Sequence, residues 1–303
     1  MFLFSIQGAD SLITINIIGD LFVSVLSLWA LYALISTGFS LSFNVGRFFD
    51  LSLGVSFLAS GYTAYAFTKF SSLPLPITML FGVITAGLVS IGIGILLIVP
   101  LSKRVGTLSL FVATLALLYL AQALIGIFFG ENANVLRSDS APFIQLGGLH
   151  LTDIDAAQII VTTIMLSLLL VFIWKSRWGR YIRAISDDPS LSTQYGIPVS
   201  STLLYCYILA GLLAGTAGVF YAANRVLEPT QAMSVLLAAM VATIIGGESI
   251  GGAILGALIL AFLETIFGFG VSGNWKTTAA FIILVCFLVS RKGGAVTYIN
   301  RRL

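Results

Sequence analysis

Four charged side chains lie inside or beside long apolar stretches, and these residues are best placed to act on a solute. Arg47 and Asp50 are three residues apart, so on a helix they could pair on one face. Glu248 and Glu264 lie late in the chain. A charge at the centre of a bilayer costs at least about 2.5 kcal/mol, so such residues usually face a cavity or a partner. A structural explanation stays open for both glutamates, namely a hairpin tip in water for Glu248 and a place near the outer surface for Glu264.

Signatures of nucleotide binding and of metal-dependent catalysis are absent from the sequence. The chain has no G-x-x-x-x-G-K-S/T run, no H-E-x-x-H and no C-x-x-C, and His150 is its single histidine. Cys206 and Cys286 sit in apolar runs, where cysteine acts as a small buried hydrophobe. If the protein moves a solute actively, the energy must come from another subunit or from an ion gradient.

The composition is that of an integral membrane protein. Hydrophobic residues make up 58% of the 303 positions and charged residues only 9%, against roughly 25% in soluble domains. Too few polar side chains remain to cover a soluble fold, so a soluble globular enzyme is excluded. Several apolar runs approach or exceed the roughly 20 residues that cross a bilayer, and they are too continuous for barrel strands. These runs span residues 21–43, 51–68, 75–100, 106–129, 156–174, 200–224 and 276–290.

A further apolar stretch, 232–268, is too long for one span and is interrupted by the Gly-rich segment 246–252. It is either a re-entrant helical hairpin or two short crossings. The sequence therefore predicts an all-α polytopic membrane protein. We expect a single transmembrane domain over residues 1–303, with about eight or nine transmembrane or re-entrant helical segments.

Two Gly-interrupted breaks, 44–54 and 246–252, lie in the two halves of the chain. Paired breaks of this kind point to a substrate site near the bilayer midplane, because freed backbone groups need a cavity or a protein wall. We expect the two breaks to approach each other there. The alternative is that their glycines serve only close helix packing. The candidate pathway residues are Asn44, Arg47, Asp50, Ser52, Gly54, Gly247, Glu248, Ser249 and Glu264.

The distribution of Lys and Arg predicts the orientation of the chain in the membrane. Basic residues concentrate at 103–104, 175–183 and 291–302, which we expect in the cytoplasm. The connection 130–155 carries four acidic residues against one arginine and should face outward. Counting spans from these loops places the N-terminus outside and the C-terminus in the cytoplasm.

The basic connection 179–198 carries start and stop signals for a short helix. Ser186 or Asp187 can cap it, Pro189 suits its first turn and Gly196 can end it. The pattern predicts a helix over about 188–195 that could dock into a groove of another protein. An ordinary surface loop is the alternative.

Residues 33–38, 61–62 and, most specifically, 179–265 carry a resemblance that covers nearly the whole chain, to permease subunits of the branched-chain amino acid ABC importers. The stretch 179–197, GRYIRAISDDPSLSTQYGI, is similar to the coupling loop of that family, with its Arg-Ala…Asp-x-Pro…Gly-Ile pattern. Ala210–Gly218 and the stretch 241–256 fit as well. One departure concerns substrate, because the family usually shows Asn-Phe-Ala-His-Gly where this chain has Asp50-Leu51-Ser52-Leu53-Gly54. The resemblance implies an ATPase-coupling role for Arg183, Ala184, Asp187, Asp188, Pro189, Leu191 and Gly196.

The resemblance further implies a multi-pass permease subunit of an ATP-driven importer in the bacterial inner membrane. Its expected partners are a second homologous permease, two cytoplasmic ATPase subunits and an extracytoplasmic substrate-binding protein, with no nucleic acid. ATP and Mg would bind in the ATPase subunits, and no cofactor is expected in this chain. The expected cargo is a neutral or zwitterionic small solute, such as branched-chain or other neutral amino acids. Two alternatives stay open: a urea or short-amide permease, and a stand-alone secondary transporter using Asp50, Glu248 or Glu264 as ion sites.

Overall fold

The computed structural model describes residues 2–71, 73–130, 136, 143–146, 149–247 and 249–270, with side chains from residue 19 to 268 except in the stretch 137–151. Eleven helices and one hairpin follow in chain order within these ranges. The elements are α1 (Phe2–Gly46), α2 (Leu53–Ser71), α3 (Leu75–Ile93), a π-helical turn (Gly94–Ile98), α4 (Val99–Ser102), α5 (Thr107–Phe129), β1 (Phe143–Leu146), β2 (Leu149–Thr152), α6 (Asp153–Lys175), α7 (Arg177–Asp187), α8 (Pro189–Gln194), α9 (Val199–Asn224), α10 (Gln231–Ile245) and α11 (Ile250–Gly270).

The prediction of an all-α polytopic membrane protein is confirmed. Within the described residues, six helices are long and apolar enough to cross a membrane. One of them, Leu75–Ser102, joins α3 and α4 through the π-helical turn. Pro100 has no amide hydrogen to donate at that point, which explains the local change in hydrogen bonding. The small antiparallel hairpin β1–β2 was not predicted, and the predicted span 276–290 lies outside the described residues.

Helix α9 forms the centre of the bundle and packs against α1, α2 and α3. Small residues let these backbones approach. A Cβ on Gly38 of α1 would lie 3.1 Å from the carbonyl oxygen of Ala210, and a Cβ on Gly218 would overlap the carbonyl oxygen of Phe57 in α2. Helices in lipid associate through such close packing, because lipid tails are as apolar as leucine.

The two ends of the bundle differ in charge, as the sequence predicts. At one end, Val105, just after the basic pair 103–104, packs in the same apolar cluster as Ile182 of α7. We call this the α7 end. At the opposite end, the carboxylate of Asp155 accepts hydrogen bonds from Ser27 and Asn224, at 2.7 and 3.0 Å. The third basic stretch, 291–302, lies outside the described residues.

The long apolar stretch 232–268 is a helical hairpin whose arms, α10 and α11, pack against each other. The 15 residues of α10 rise about 22 Å, which is less than the roughly 30 Å of a hydrocarbon core and favours the re-entrant alternative. A Cβ on Gly252 would overlap the carbonyl oxygen of Gly246, and a Cβ on Gly256 would overlap that of Ala242. The glycines therefore allow backbone-to-backbone contact between the two arms.

This packing predicts opposite effects for neighbouring glycines of α11. Gly256→Ala should lower the free energy of unfolding by about 1–3 kcal/mol, because the added methyl group forces the arms apart. Gly251 has no atom within 4 Å of its Cβ position, so Gly251→Ala should be neutral or stabilising. The measurement is thermal unfolding of each purified variant in detergent. Equal melting temperatures for the two variants would contradict this account of the hairpin.

Candidate functional site

The first break, between α1 and α2, is held by side chains of the protein. Oδ1 of Asp50 accepts hydrogen bonds from the amide and the hydroxyl of Ser52, at 2.9 and 2.6 Å. The amide of Leu51 donates to Oγ1 of Thr114 in α5, at 3.3 Å. Irregular backbone inside a membrane requires such partners, since water is not available to replace them. Asp50 therefore has a clear structural role at the start of α2.

The break lies inside the bundle. Asp50 and Ser52 are 1% and 2% exposed, and Thr114 stands seven residues, or about 10 Å, into α5 from the α7 end. The carboxyl group of Asp50 interacts electrostatically with Tyr207. Among the described residues, neither Oδ2 of Asp50 nor the hydroxyl of Tyr207 makes a hydrogen bond. Asp50 is thus a buried polar group with only one of its two oxygens hydrogen-bonded in the part of the chain that the structure describes.

Arg47 does not pair with Asp50 as the spacing allows. Its guanidinium instead donates to the main-chain oxygen of Ser186, the next-to-last residue of α7. The pairing fails because α1 ends at Gly46, so the two residues do not share a helix face. Asn44 remains on α1 and donates to the carbonyl oxygen of Ser40 at 2.8 Å.

The second break is a tight exposed turn between α10 and α11. Gly247 has φ of 78°, and the hydroxyl of Ser249 accepts from the amide of Gly252 at 3.0 Å. The letters of residues 247–251 match G-x-S-x-G, but a helix precedes Ser249 where a nucleophile elbow has a strand. Glu248 lies outside the described residues.

The expectation that the two breaks approach each other is wrong. A Cβ on Gly54 would lie 2.6 Å from Leu236 and 3.5 Å from Ala232, in the first two turns of α10. The second break follows the opposite end of α10. There the backbones of Gly246 and Gly252 pack against each other within the α10–α11 hairpin. The breaks therefore contact different parts of the same short helix.

Glu264 is separate from both breaks. It is 8% exposed, and its Oε2 accepts a hydrogen bond from the hydroxyl of Tyr32 at 2.8 Å. This contact joins α11 to the middle of α1. It gives the buried carboxylate a partner, so a structural role accounts for it without a solute.

A cavity of about 750 Å³ opens between α5 and the residues that precede α10. The sequence analysis did not single out its lining. The lining residues are Tyr119, Gln122, Ala123, Gly126, Ile127, Pro229 and Thr230. None of these residues is charged, and Nε2 of Gln122 is buried with no hydrogen-bond partner among the described residues. The sequence signal was available, because Gln122 is the one amide side chain in the apolar run 106–129.

The first break lies against residues that adjoin the lining of this cavity. A Cβ on Gly54 would lie 2.8 Å from Leu118, one turn before Gln122 on α5. Its other neighbour, Ala232, follows Thr230 by two residues. Gly54 is thus a predicted pathway residue whose neighbours adjoin the lining of the cavity.

At the α7 end, α8 spans nearly the predicted residues, but its cap is Asp188 and not Ser186 or Asp187, because α7 continues to Asp187. Oδ1 of Asp188 accepts from the amides of Ser190 and Leu191 at 2.8 and 3.1 Å, which caps the first turn. Gly196, at φ of 76°, and Ile197 donate back to the carbonyl oxygens of Thr193 and Ser192, which is a Schellman ending.

One side of the α7–α8 segment faces outward. Leu191 and Tyr195 are 50% and 84% exposed, although both are large and partly apolar. Arg183 and Asp187 of α7 are also exposed, while Ala184, Asp188 and Pro189 are partly buried. A small exposed apolar surface beside charged residues is typical of a protein contact.

Comparisons with known proteins agree on one family. A sequence profile described as "Branched-chain amino acid transport system / permease component" matches residues 21–288. The probable branched-chain amino acid transport permease protein LivH of Methanocaldococcus jannaschii is 27% identical over 282 residues, 87% of this chain and 88% of that protein. The fructose import permease protein FruG of Bifidobacterium longum is 26% identical over 199 residues, 60% of this chain and 58% of that protein. The fold is similar to that of PsaBC from Streptococcus pneumoniae in complex with Fab, at a TM-score of 0.51 and 15% identity, covering 91% of this chain and 95% of that one.

The capping role of Asp50 predicts a graded response to substitution. Asp50→Ala should cost about 0.5–2 kcal/mol of stability, because Ser52 loses its acceptor at the start of α2. Asp50→Asn keeps an acceptor oxygen and should cost less. Thermal unfolding of the two purified variants measures the difference. A loss for Asp50→Asn as large as the loss for Asp50→Ala would show that the charge, and not the cap, is what the fold requires.

Proposed function

The chain belongs to the family of permease components of branched-chain amino acid transport systems, and from this membership we propose that it is the membrane subunit of an ATP-driven importer. It carries a neutral or zwitterionic small solute, with branched-chain and other neutral amino acids as the first class to test. The ATP and Mg that drive transport bind in separate ATPase subunits.

The observation that carries this proposal is the α7–α8 segment. It is a well-capped helical element at the basic end of the bundle, and it exposes Leu191 and Tyr195. A transporter that works alone has no need of a docking helix at that position. The sequence lacks a nucleotide-binding run of its own, which fits an energy source in a partner subunit.

The orientation of the protein in the membrane is argued from the charge of the loops. The α7 end carries the basic residues of 103–104 and 175–183, so it faces the cytoplasm, where the ATPase subunits lie. The opposite end, with the hairpin β1–β2, faces outward and receives the solute from a substrate-binding protein. A second permease subunit completes the membrane part, next to the open side of the α5 cavity.

The substrate class is argued from the cavity. The described residues of its lining offer aromatic, aliphatic, hydroxyl and amide groups and no charge, so an ionic solute would lose its hydration without a charged partner among them. A neutral solute loses less, a zwitterion at least carries no net charge, and Gln122 can supply hydrogen bonds. The similarity to a protein named as a fructose import permease makes sugars the competing class.

Disruption of the α8 surface should release the ATPase. We expect Leu191→Asp to reduce the ATPase activity that co-purifies with the tagged chain about 30-fold, because a charge replaces an apolar contact of the size that dominates interfaces. Leu191→Met keeps the apolar side chain and serves as the matched control. Wild-type co-purification of ATPase activity with Leu191→Asp would overturn the docking role of α8.

Removal of the amide in the cavity should weaken uptake without unfolding the protein. Gln122→Ala should raise the KM for L-leucine about 2- to 12-fold, the effect of losing one hydrogen bond to a neutral group. Thr163→Ala, on the exposed face of α6, is the control and should leave KM unchanged. Unlabelled fructose and urea are tested as competitors of labelled leucine uptake. Inhibition by fructose would indicate a sugar permease, and inhibition by urea would indicate a urea or short-amide permease. An unchanged KM for Gln122→Ala would remove the cavity from the proposed route.

A further inference from the structure

Arg47 has an unusual backbone conformation directly after α1. Its φ is 56°, and it is the one residue other than glycine with a positive φ in the described part of the chain. Its amide donates to the carbonyl oxygen of Phe43 at 2.8 Å, which ends the helix. Glycine is the usual residue at such a helix end, because a Cβ is poorly tolerated there. An arginine at this position therefore needs a reason beyond helix termination.

The side chain of Arg47 supplies that reason by reaching α7, 139 residues further along the chain. Its guanidinium donates to the main-chain oxygen of Ser186, and the hydroxyl of Ser186 donates to the main-chain oxygen of Asn44 at 3.4 Å. Below these bonds, Phe48 of the first break packs in one buried apolar cluster with Ile182 and Ile185 of α7. The end of α7 thus contacts Asn44 within α1 and Arg47 and Phe48 after it.

The same break leads to the α5 cavity. Three residues after Arg47, Asp50 caps the start of α2, and four residues later Gly54 contacts Leu118 and Ala232. Leu118 precedes the cavity residue Gln122 by one turn, and Ala232 follows the cavity residue Thr230. A displacement of α7 would therefore reach the cavity wall through fewer than ten residues of chain.

We propose that Arg47 is a positioning residue that transmits movement of the α7–α8 segment to the first break and so to the cavity. The inference rests on the proposed function, in which α7–α8 meets an ATPase. It also assigns Arg47 a role different from direct contact with solute, because Arg47 is exposed at the α7 end and its guanidinium donates to Ser186. Arg47 acts through the break and touches neither nucleotide nor cargo.

Two substitutions separate this role from simple helix termination. Arg47→Gly keeps the backbone conformation at no steric cost and removes the bond to Ser186, whereas Arg47→Lys keeps a cation with a single donor group. If Arg47 transmits movement, the amount of solute taken up per ATP hydrolysed should fall in the order Arg, Lys, Gly at position 47. Helix termination alone predicts that Gly is at least as good as Arg. Arg104→Gly, which removes an exposed cation at the same end of the bundle, is the control for charge.

The first readout uses the purified chain and does not depend on the ATPase. Hydrogen exchange of the α7–α8 amides should become about tenfold faster in Arg47→Gly, because the segment loses a charged hydrogen bond to α1. The melting temperature should stay at the wild-type value, and Arg104→Gly should show wild-type exchange. Unchanged hydrogen exchange in Arg47→Gly would show that Arg47 does not hold α7 against α1, which would overturn the inference.

The second readout uses the complex in membrane vesicles, with labelled L-leucine as probe. The amount of leucine taken up per ATP hydrolysed should fall about tenfold in Arg47→Gly and less in Arg47→Lys, while ATP hydrolysis continues. Wild-type uptake per ATP in Arg47→Gly would overturn the transmission role. If the wild-type complex hydrolyses no ATP, the proposed function fails, and the exchange experiment still decides whether Arg47 fastens α7.

Discussion

Irregular backbone inside a membrane bundle must find all its hydrogen-bond partners within the protein, and the arrangement around the first break follows from this constraint. Three side chains supply these partners. Asp50 accepts from the amide of Ser52, and Thr114 accepts from the amide of Leu51. Arg47 donates to the main-chain oxygen of Ser186 at the end of α7. Once these partners are in place, α2 can begin inside the bundle instead of at its surface. The space that a full-length span would fill is then available to α10 and to the cavity beside α5.

The close approach of small residues makes that arrangement compact. Helix α9 brings three neighbours within backbone contact, and α10 and α11 meet through glycines at their turn. The bundle is therefore closely packed at its centre, whereas α7 and α8 lie at one end and contact the interior through Arg47 and Phe48. A permease driven by a separate ATPase would need this arrangement, since a movement of α7 and α8 must shift the lining of the cavity and leave the packing around α9 unchanged.

Sequence reasoning predicted the features that depend on local pattern. Hydropathy gave the spans. The signals around Pro189 and Gly196 gave the bounds of α8 to within about one residue, because caps act over a few residues, although the cap itself is Asp188 and not Ser186 or Asp187. It missed what depends on long-range contact. The partner of Arg47 is 139 residues away, and the cavity lining combines α5 with residues 229–230, so neither leaves a periodic signal. The meeting of the two breaks was predicted wrongly, because the glycines of 246–256 pack their own hairpin.

The central claim is that transport through this chain is powered by ATP hydrolysed in a partner, and the most direct test is the energy source of uptake. Membrane vesicles containing the complex are supplied with ATP on the cytoplasmic side, and labelled L-leucine is offered on the other side. Proton and sodium ionophores are then added. The account predicts uptake that requires ATP and persists when the ion gradients are abolished. Uptake that continues without ATP and stops with the ionophores would contradict it and would identify a secondary transporter.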